Sequence, residues 1–387
     1  MAVRSTDRKS MSSSAAATSF WPTHHEELLL TAALARPEAA VAAWKEVRPG
    51  LDIETMTTEG MTLLPLVYGN LTRAGHDDPD LPRLKGVYRH TWARNNFLLG
   101  ELSRSVADLR HNGVGAIALK GVALLLLYYP DVATRPMADV DILVRPRDIG
   151  TALEVLGAAR AVTDQLGDGR LPRFLHGVEV QTESGMKIDV HWRLTDYDSG
   201  DRSLDEIWRR AIPVRIGDAP ALALGPEQLL LHVCSHGMTA VPTRTLRWIA
   251  DCVMVINGTP RPVDWTRLVE LSAQQGSSLP MRDALTYLRD RFDVRVPRDV
   301  IASLDGAPRS RREELGYSAT ARPPRGPEPL KTAMTVAAHY TRLTAAMPVR
   351  KAIGSFPSFL QESWRLGRRR DLPRAFASRV WTRLRRS

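Results

Sequence analysis

Asp139 and Asp141 stand two residues apart in the apolar run DVDILV, and Asp189 lies in a second such run, KIDVHW. Alternate side chains of a strand share a face, so Asp139 and Asp141 are expected on one side, with Val140 and Ile142 on the other. A third carboxylate on a neighbouring strand would complete a ligand set for hard cations. Carboxylates crowded together repel unless a cation sits among them, and Mg²⁺ prefers oxygen ligands supplied partly by a phosphate substrate. Phosphoryl or nucleotidyl transfer is therefore the first reaction class these residues point to. The plainer alternatives are a solvated strand edge for Asp139 and Asp141, and a cross-hairpin pair with Arg193 or Lys187 for Asp189. Apolar flanks weigh toward the site, since buried carboxylates are costly without a partner.

The elements that must hold these residues follow from apolar spacing. HEELLLTAALA, AAVAAWKEV and RNNFLLGELSRSVADLRHNG repeat apolar residues at helical intervals, so residues 21–112 read as a helical region closed by Asn112-Gly113. The period then changes. Ala116–Leu119 reads as a short strand, Gly121–Tyr129 as a buried helix and Val140–Val144 as a second strand. Asp148 is expected to cap the next helix through its side-chain oxygen. VEVQT and MKIDVHW read as a hairpin around Glu183-Ser184-Gly185. Residues 113–195 thus form an α/β core, 196–304 a second helical region, 305–329 a Pro/Gly/Arg-rich linker and 330–387 terminal helices with an Arg-rich tail. The predicted fold class is α+β, a small mixed sheet flanked on both sides by helices.

The 387 residues carry 43% hydrophobic side chains, enough for a real core. The longest apolar run, VALLLLYY, is far too short to cross a membrane. Residues 1–20 lack the apolar centre of a signal peptide and read as a disordered Ser/Ala-rich leader. Cys234 and Cys252, the only cysteines, lie in apolar helical segments, which speaks against a disulfide framework or a thiolate metal site. The expected compartment is the cytoplasm, with peripheral membrane attachment as a variant. The net charge of +10 resembles a nucleic-acid footprint, but residues 365–387 hold nine arginines against the single acid Asp371. The basicity belongs to the tail.

The series LKG, Arg135, DVD and KIDVHW, together with LLLHVCSHGMTAVPTRTLRWIADCVMVI, resembles the uncharacterised nucleotidyltransferase family of the DNA polymerase beta-like superfamily over roughly residues 90–260. The resemblance implies an NTP substrate and two Mg²⁺ ions, with Asp139 and Asp141 as metal ligands. It implies that Asp189 binds the second ion and draws the proton from an acceptor hydroxyl. Gly121, at a strand-to-helix turn, would let a phosphate approach backbone amides, and Lys120 would add a point charge. A simple turn with an exposed lysine is the alternative. Arg135 would reach phosphate oxygens, or pair with Asp131 or Asp139 as scaffolding. His191, on the face of Asp189, orients that aspartate, touches substrate or serves structure alone. One departure from the superfamily is Lys120-Gly121 where a Gly-Ser pair is common, which leaves the triphosphate contact and the choice of base open. The acceptor is unidentified; a toxin-like transferase acting on tRNA ends and a catalytically silent nucleotide-binding protein are the competing functions.

Two other signals bear on function. His232 and His236 have the i, i+4 spacing of zinc ligands, but Val233 stands where a metalloprotease carries glutamate; the family resemblance instead allows His236 a place in a helical lid or packing face over the site. Asp251, inside an apolar helix, is expected to pair with Arg247. After Pro373, Phe376, Val380, Trp381 and Leu384 follow helical spacing with a cationic face, suited to an anionic membrane, to RNA or to docking on the protein itself.

Overall fold

A computed structural model describes residues 21–53, 55–157, 171–182, 184–194, 201–238, 246–258, 261–321, 328–344, 347–364, 366 and 368–375. The leader at 1–20 and the tail helix expected after residue 375 lie outside the described residues. The architecture is α+β, mostly helical around one six-stranded mixed sheet.

The first helix, His24–Leu34, starts on a reciprocal cap: the Glu26 amide donates to Thr23 Oγ1, and the Thr23 amide donates to the Glu26 carboxylate. The longest helix, Leu81–His111, buries Leu84, Thr91, Asn95, Leu98, Leu102, Val106 and Leu109, spacings of three, four and seven that keep one face inward. Gly113, at φ +76°, turns the chain toward the sheet.

The strands are β1 (Ile117–Ala118), β2 (Val140–Leu143), β3 (Gly177–Gln181), β4 (Lys187–His191), β5 (Ile212–Ile216) and β6 (Ala219–Ala223), in the order β3-β4-β2-β1-β6-β5. The expected β3–β4 hairpin is present. β2 runs parallel to β4, while β1 pairs antiparallel to β2 and parallel to β6. The sheet therefore extends past residue 195. The β5–β6 hairpin lies in a stretch read as helical, with Pro213 in the edge strand β5, where a missing backbone donor is tolerated.

Two further expectations differ in the structure. Asp148 ends a 3₁₀ turn, Pro146–Asp148, in the αR conformation and makes no capping bond; its carboxylate lies 3.6 Å from Arg147 Nε. Within the expected linker, Arg311–Ala321 is helical and buries Glu313 and Tyr317, whose hydroxyl donates to Asp283 at 2.7 Å. Local composition misses such a helix because its anchor lies on another element. No helix among the described residues is long and apolar enough to cross a membrane.

Candidate active site

Asp141 in β2 and Asp189 in β4 are register partners across the parallel pair, so their side chains leave the same face of the sheet. Asp139 stands just before β2 and is exposed, whereas Asp141 is buried. His191 follows Asp189 by two residues and shares that face. Its Nε2 lies 3.2 Å from Asp141 Oδ1 and 3.1 Å from Asp189 Oδ2. Neither Lys187 nor Arg193 is bonded to Asp189: Lys187 Nζ donates to Glu179, and Arg193 donates to the Arg173 carbonyl.

Lys120 reaches the cluster from β1. The Leu119 amide donates to the Asp141 carbonyl, and the next residue, Lys120, places Nζ 2.7 Å from Asp141 Oδ1. Lys120, not Gly121, carries the positive φ of the turn, at +35°. A non-glycine residue held there costs of order 1–3 kcal/mol. The ion pair with Asp141 helps to offset that strain.

Gly121 lies inside the first helical turn of Lys120–Leu127, and a Cβ built on it would sit 2.8 Å from an Arg135 guanidinium nitrogen and 3.1 Å from Met137 Sδ. Its missing side chain therefore makes room for Arg135 and Met137. Gly121→Ala is expected to destabilise the protein by about 1–3 kcal/mol through overpacking, read as a lower urea midpoint with an unchanged slope.

Arg135 is turned into the protein. Its Nε and a terminal nitrogen donate to the two oxygens of Asp251 at 2.8 and 2.9 Å, and the Tyr129 hydroxyl donates to the same carboxylate at 2.6 Å. The scaffolding partner is thus Asp251, rather than Asp131 or Asp139. The Asp251 carboxylate, whose charge also acts on Arg247 one turn away, receives Arg135 and Tyr129. Asn95, fully buried on the long helix, ties down the same loop: its amide donates to the carbonyls of Val132 and Arg135, and its oxygen accepts from the Met137 amide. Arg94 adds a bond to the Ala138 carbonyl at 3.1 Å. The segment leading into Asp139 is held from both ends.

The electrostatics follow from these contacts. Burial alone would raise the Asp141 carboxyl, but the His191 hydrogen bond and the Lys120 ammonium outweigh it and hold the group well below the usual carboxylate range. Asp189 is lowered in the same way, with His191 overcoming burial. Asp139 is raised, first by desolvation and then by the charge of Asp141. His191 would be pushed down by burial, yet its two carboxylate partners raise it above its ordinary value. A group raised in the folded state stabilises fully below its unfolded pKa, about 6.5, and this contribution is lost as pH rises through the higher folded value. In chelator, wild-type melting should therefore lose stability above about pH 6.5 relative to His191→Gln, and parallel profiles would contradict this pairing.

A second wall faces these residues. Helices Pro226–Gly237 and Arg247–Asn257 cross so closely that a Cβ on Gly237 would collide with the Trp248 ring. Cys234 and Cys252 meet at this crossing as buried free thiols, with sulfurs 3.3 Å apart. His232, His236, Arg247 and Trp248 line one cleft with Lys120, Asp139 and Asp141. His232 is buried, and neither of its ring nitrogens has a hydrogen-bond partner. Burial first, then Lys120, pushes it well below its ordinary pKa, so the imidazole is neutral. An unsatisfied buried polar group of this kind costs about 1–3 kcal/mol.

Lys120, Asp139 and Asp141 thus share one cleft with Gly121 and Arg135, the latter held by Asp251, and Asp189 and His191 join Asp141 through the His191 contacts. The sequence reading did not include His176, whose ring nitrogen forms with Asp189 and His191 a set of donor atoms all within 4.8 Å of one another. His176 precedes β3, beside the Gly177–His191 register pair, and no local spacing marks it.

No curated protein and no solved structure matches this chain. Residues 57–293, however, match the family described as uncharacterised nucleotidyltransferase, a span that takes in the long helix, the whole sheet and both helices of the second wall. The chain belongs to that family of nucleotidyltransferases.

Proposed function

We propose that this protein moves a nucleoside monophosphate from an NTP to an acceptor hydroxyl or phosphate, with Asp139, Asp141 and Asp189 as the metal-binding carboxylates. The observation that carries the reading is the register pairing of Asp141 with Asp189, which sets two carboxylates side by side with Asp139 two residues upstream. The charge of Asp141 acts on Asp139, and neighbouring carboxylate oxygens of this kind are the ligand chemistry that a hard divalent cation such as Mg²⁺ takes. When bound, such ions neutralise phosphate charge and make the acceptor hydroxyl easier to deprotonate.

The chain's own groups supply the rest. The acceptor oxygen forms a bond to the α-phosphorus, the bond from that phosphorus to the bridging oxygen breaks, and pyrophosphate departs with the electron pair. Asp189, with its side chain about 31% exposed, takes the acceptor proton. His191 orients Asp141 and Asp189 together. Lys120 steadies Asp141 and lies where it can turn to a phosphate oxygen. Incubation with each α-labelled NTP, Mg²⁺ and fractionated cell extract should transfer label to an acceptor. No transfer with any nucleotide or fraction would overturn the reading.

A further inference from the structure

We infer that His232, His236 and Arg247, on the helical wall of the cleft, form the subsite for the terminal phosphates of the nucleotide. This rests on the proposed nucleotidyl transfer and assigns the pyrophosphate half of the substrate to residues outside the sheet.

Three observations converge. His232 is only 4% exposed, lines the cleft and has two ring nitrogens without a hydrogen-bond partner, so a polar ligand there satisfies a group that the fold leaves unpaired. His236 lies one turn further along the same helix, exposed, with its ring centroid 6.4 Å from that of His232. The pair thus runs from the interior toward the mouth of the cleft. Arg247 lines the same space from the crossing helix, fixed by a bond from its guanidinium to the Pro136 carbonyl at 3.0 Å.

The charge layout selects the ligand. Arg135 and Lys120 already face Asp251 and Asp141, so their charges answer carboxylates, and Arg247 lies in the field of Asp251 and Asp139. A triphosphate stretched across the cleft brings further negative oxygens beyond those that cations on the aspartates would neutralise, and these need nitrogen donors. A guanidinium and two imidazoles on the wall opposite the carboxylates supply them. A zinc ion on the histidine pair lacks a third ligand: among the described residues, the cluster of three candidate ligands is His176, Asp189 and His191.

Calorimetry on the full chain with Mg²⁺ tests the assignment, using inorganic pyrophosphate and a nucleoside monophosphate as separate probes. His232→Leu and His236→Ala should each weaken pyrophosphate binding about tenfold, and leave monophosphate binding within about twofold. His232→Leu should melt no lower than wild type, because it removes an unsatisfied buried polar group; His236→Ala changes an exposed residue and provides a folded control. If the wild type binds NTP with Mg²⁺ while both variants bind pyrophosphate as it does, or lose monophosphate equally, the subsite is wrong and the transfer reading stands. If the wild type binds no NTP at all, both fall.

Discussion

Asp251→Ala is expected to destabilise the protein by about 3–5 kcal/mol, the largest stability loss we anticipate from a single side chain. The carboxylate sits in the interior with both oxygens engaged by Arg135 and one also by Tyr129. Removing it strands a guanidinium and a phenol hydroxyl where the side chains of the ion pair are each only 5% exposed. Desolvation works against the charged state of Arg135, but Asp251 more than restores it. The cost thus arises from the orphaned partner more than from the lost bond. The double replacement Arg135→Met with Asp251→Leu should recover most of the stability, because an apolar pair of similar volume requires no desolvated charge. Urea denaturation of the three variants measures both effects. A single-variant loss under about 1 kcal/mol would mean that water reaches the guanidinium and that the pair is not a structural anchor.

If the proposed function holds, Asp141→Asn should lower nucleotidyl transfer by about a thousandfold or more, since it removes one of the proposed ligand charges. Asp141 is also the carboxylate shared by Lys120 and His191, so the substitution releases two cationic groups at once. Transfer of α-labelled nucleotide reads the first consequence. The second appears in the pH profile of melting, which should lose much of the His191 contribution. Asp189→Asn should lower transfer by a smaller factor than Asp141→Asn while keeping the Lys120–Asp141 pair, so its melting should differ less from wild type. Transfer by Asp141→Asn within about tenfold of wild type would remove this residue from the reacting centre.

The carboxylates were legible because a strand's two-residue period converts DVD and the Asp189-x-His191 spacing directly into shared faces. The β3–β4 hairpin was legible because Gly185 marks its loop, and the helical flanks because their apolar residues recur every three or four positions. What escaped was remote pairing. Asp251 acts on Arg247 one turn away, as helix spacing suggests, but its carboxylate also takes Arg135 from 116 residues upstream. Gly121 looked like a phosphate turn, but its constraint comes from Arg135 and Met137, which only tertiary contact reveals. The positive φ at Lys120 was equally hidden, since lysine gives no signal for that conformation. β5 and β6 were missed because each carries a proline, Pro213 and Pro220, and β6 is otherwise mostly alanine, so neither shows a strand composition.

The strand order has a consequence for how the protein acquires activity. β2 lies between β1 and β4, and its parallel partner β4 comes more than forty residues later in the chain, after the β3 strand that must fold back on it. A nascent chain that has delivered Asp139 and Asp141 therefore holds half of the proposed carboxylate cluster, and the high contact order of a parallel pair delays closure further. The opposing wall arrives later still, with residues 226–257. Abortive translation products that stop before these helices would carry the aspartates without the enclosure around them, so synthesis itself withholds the assembled centre until the chain has passed the last of its parts.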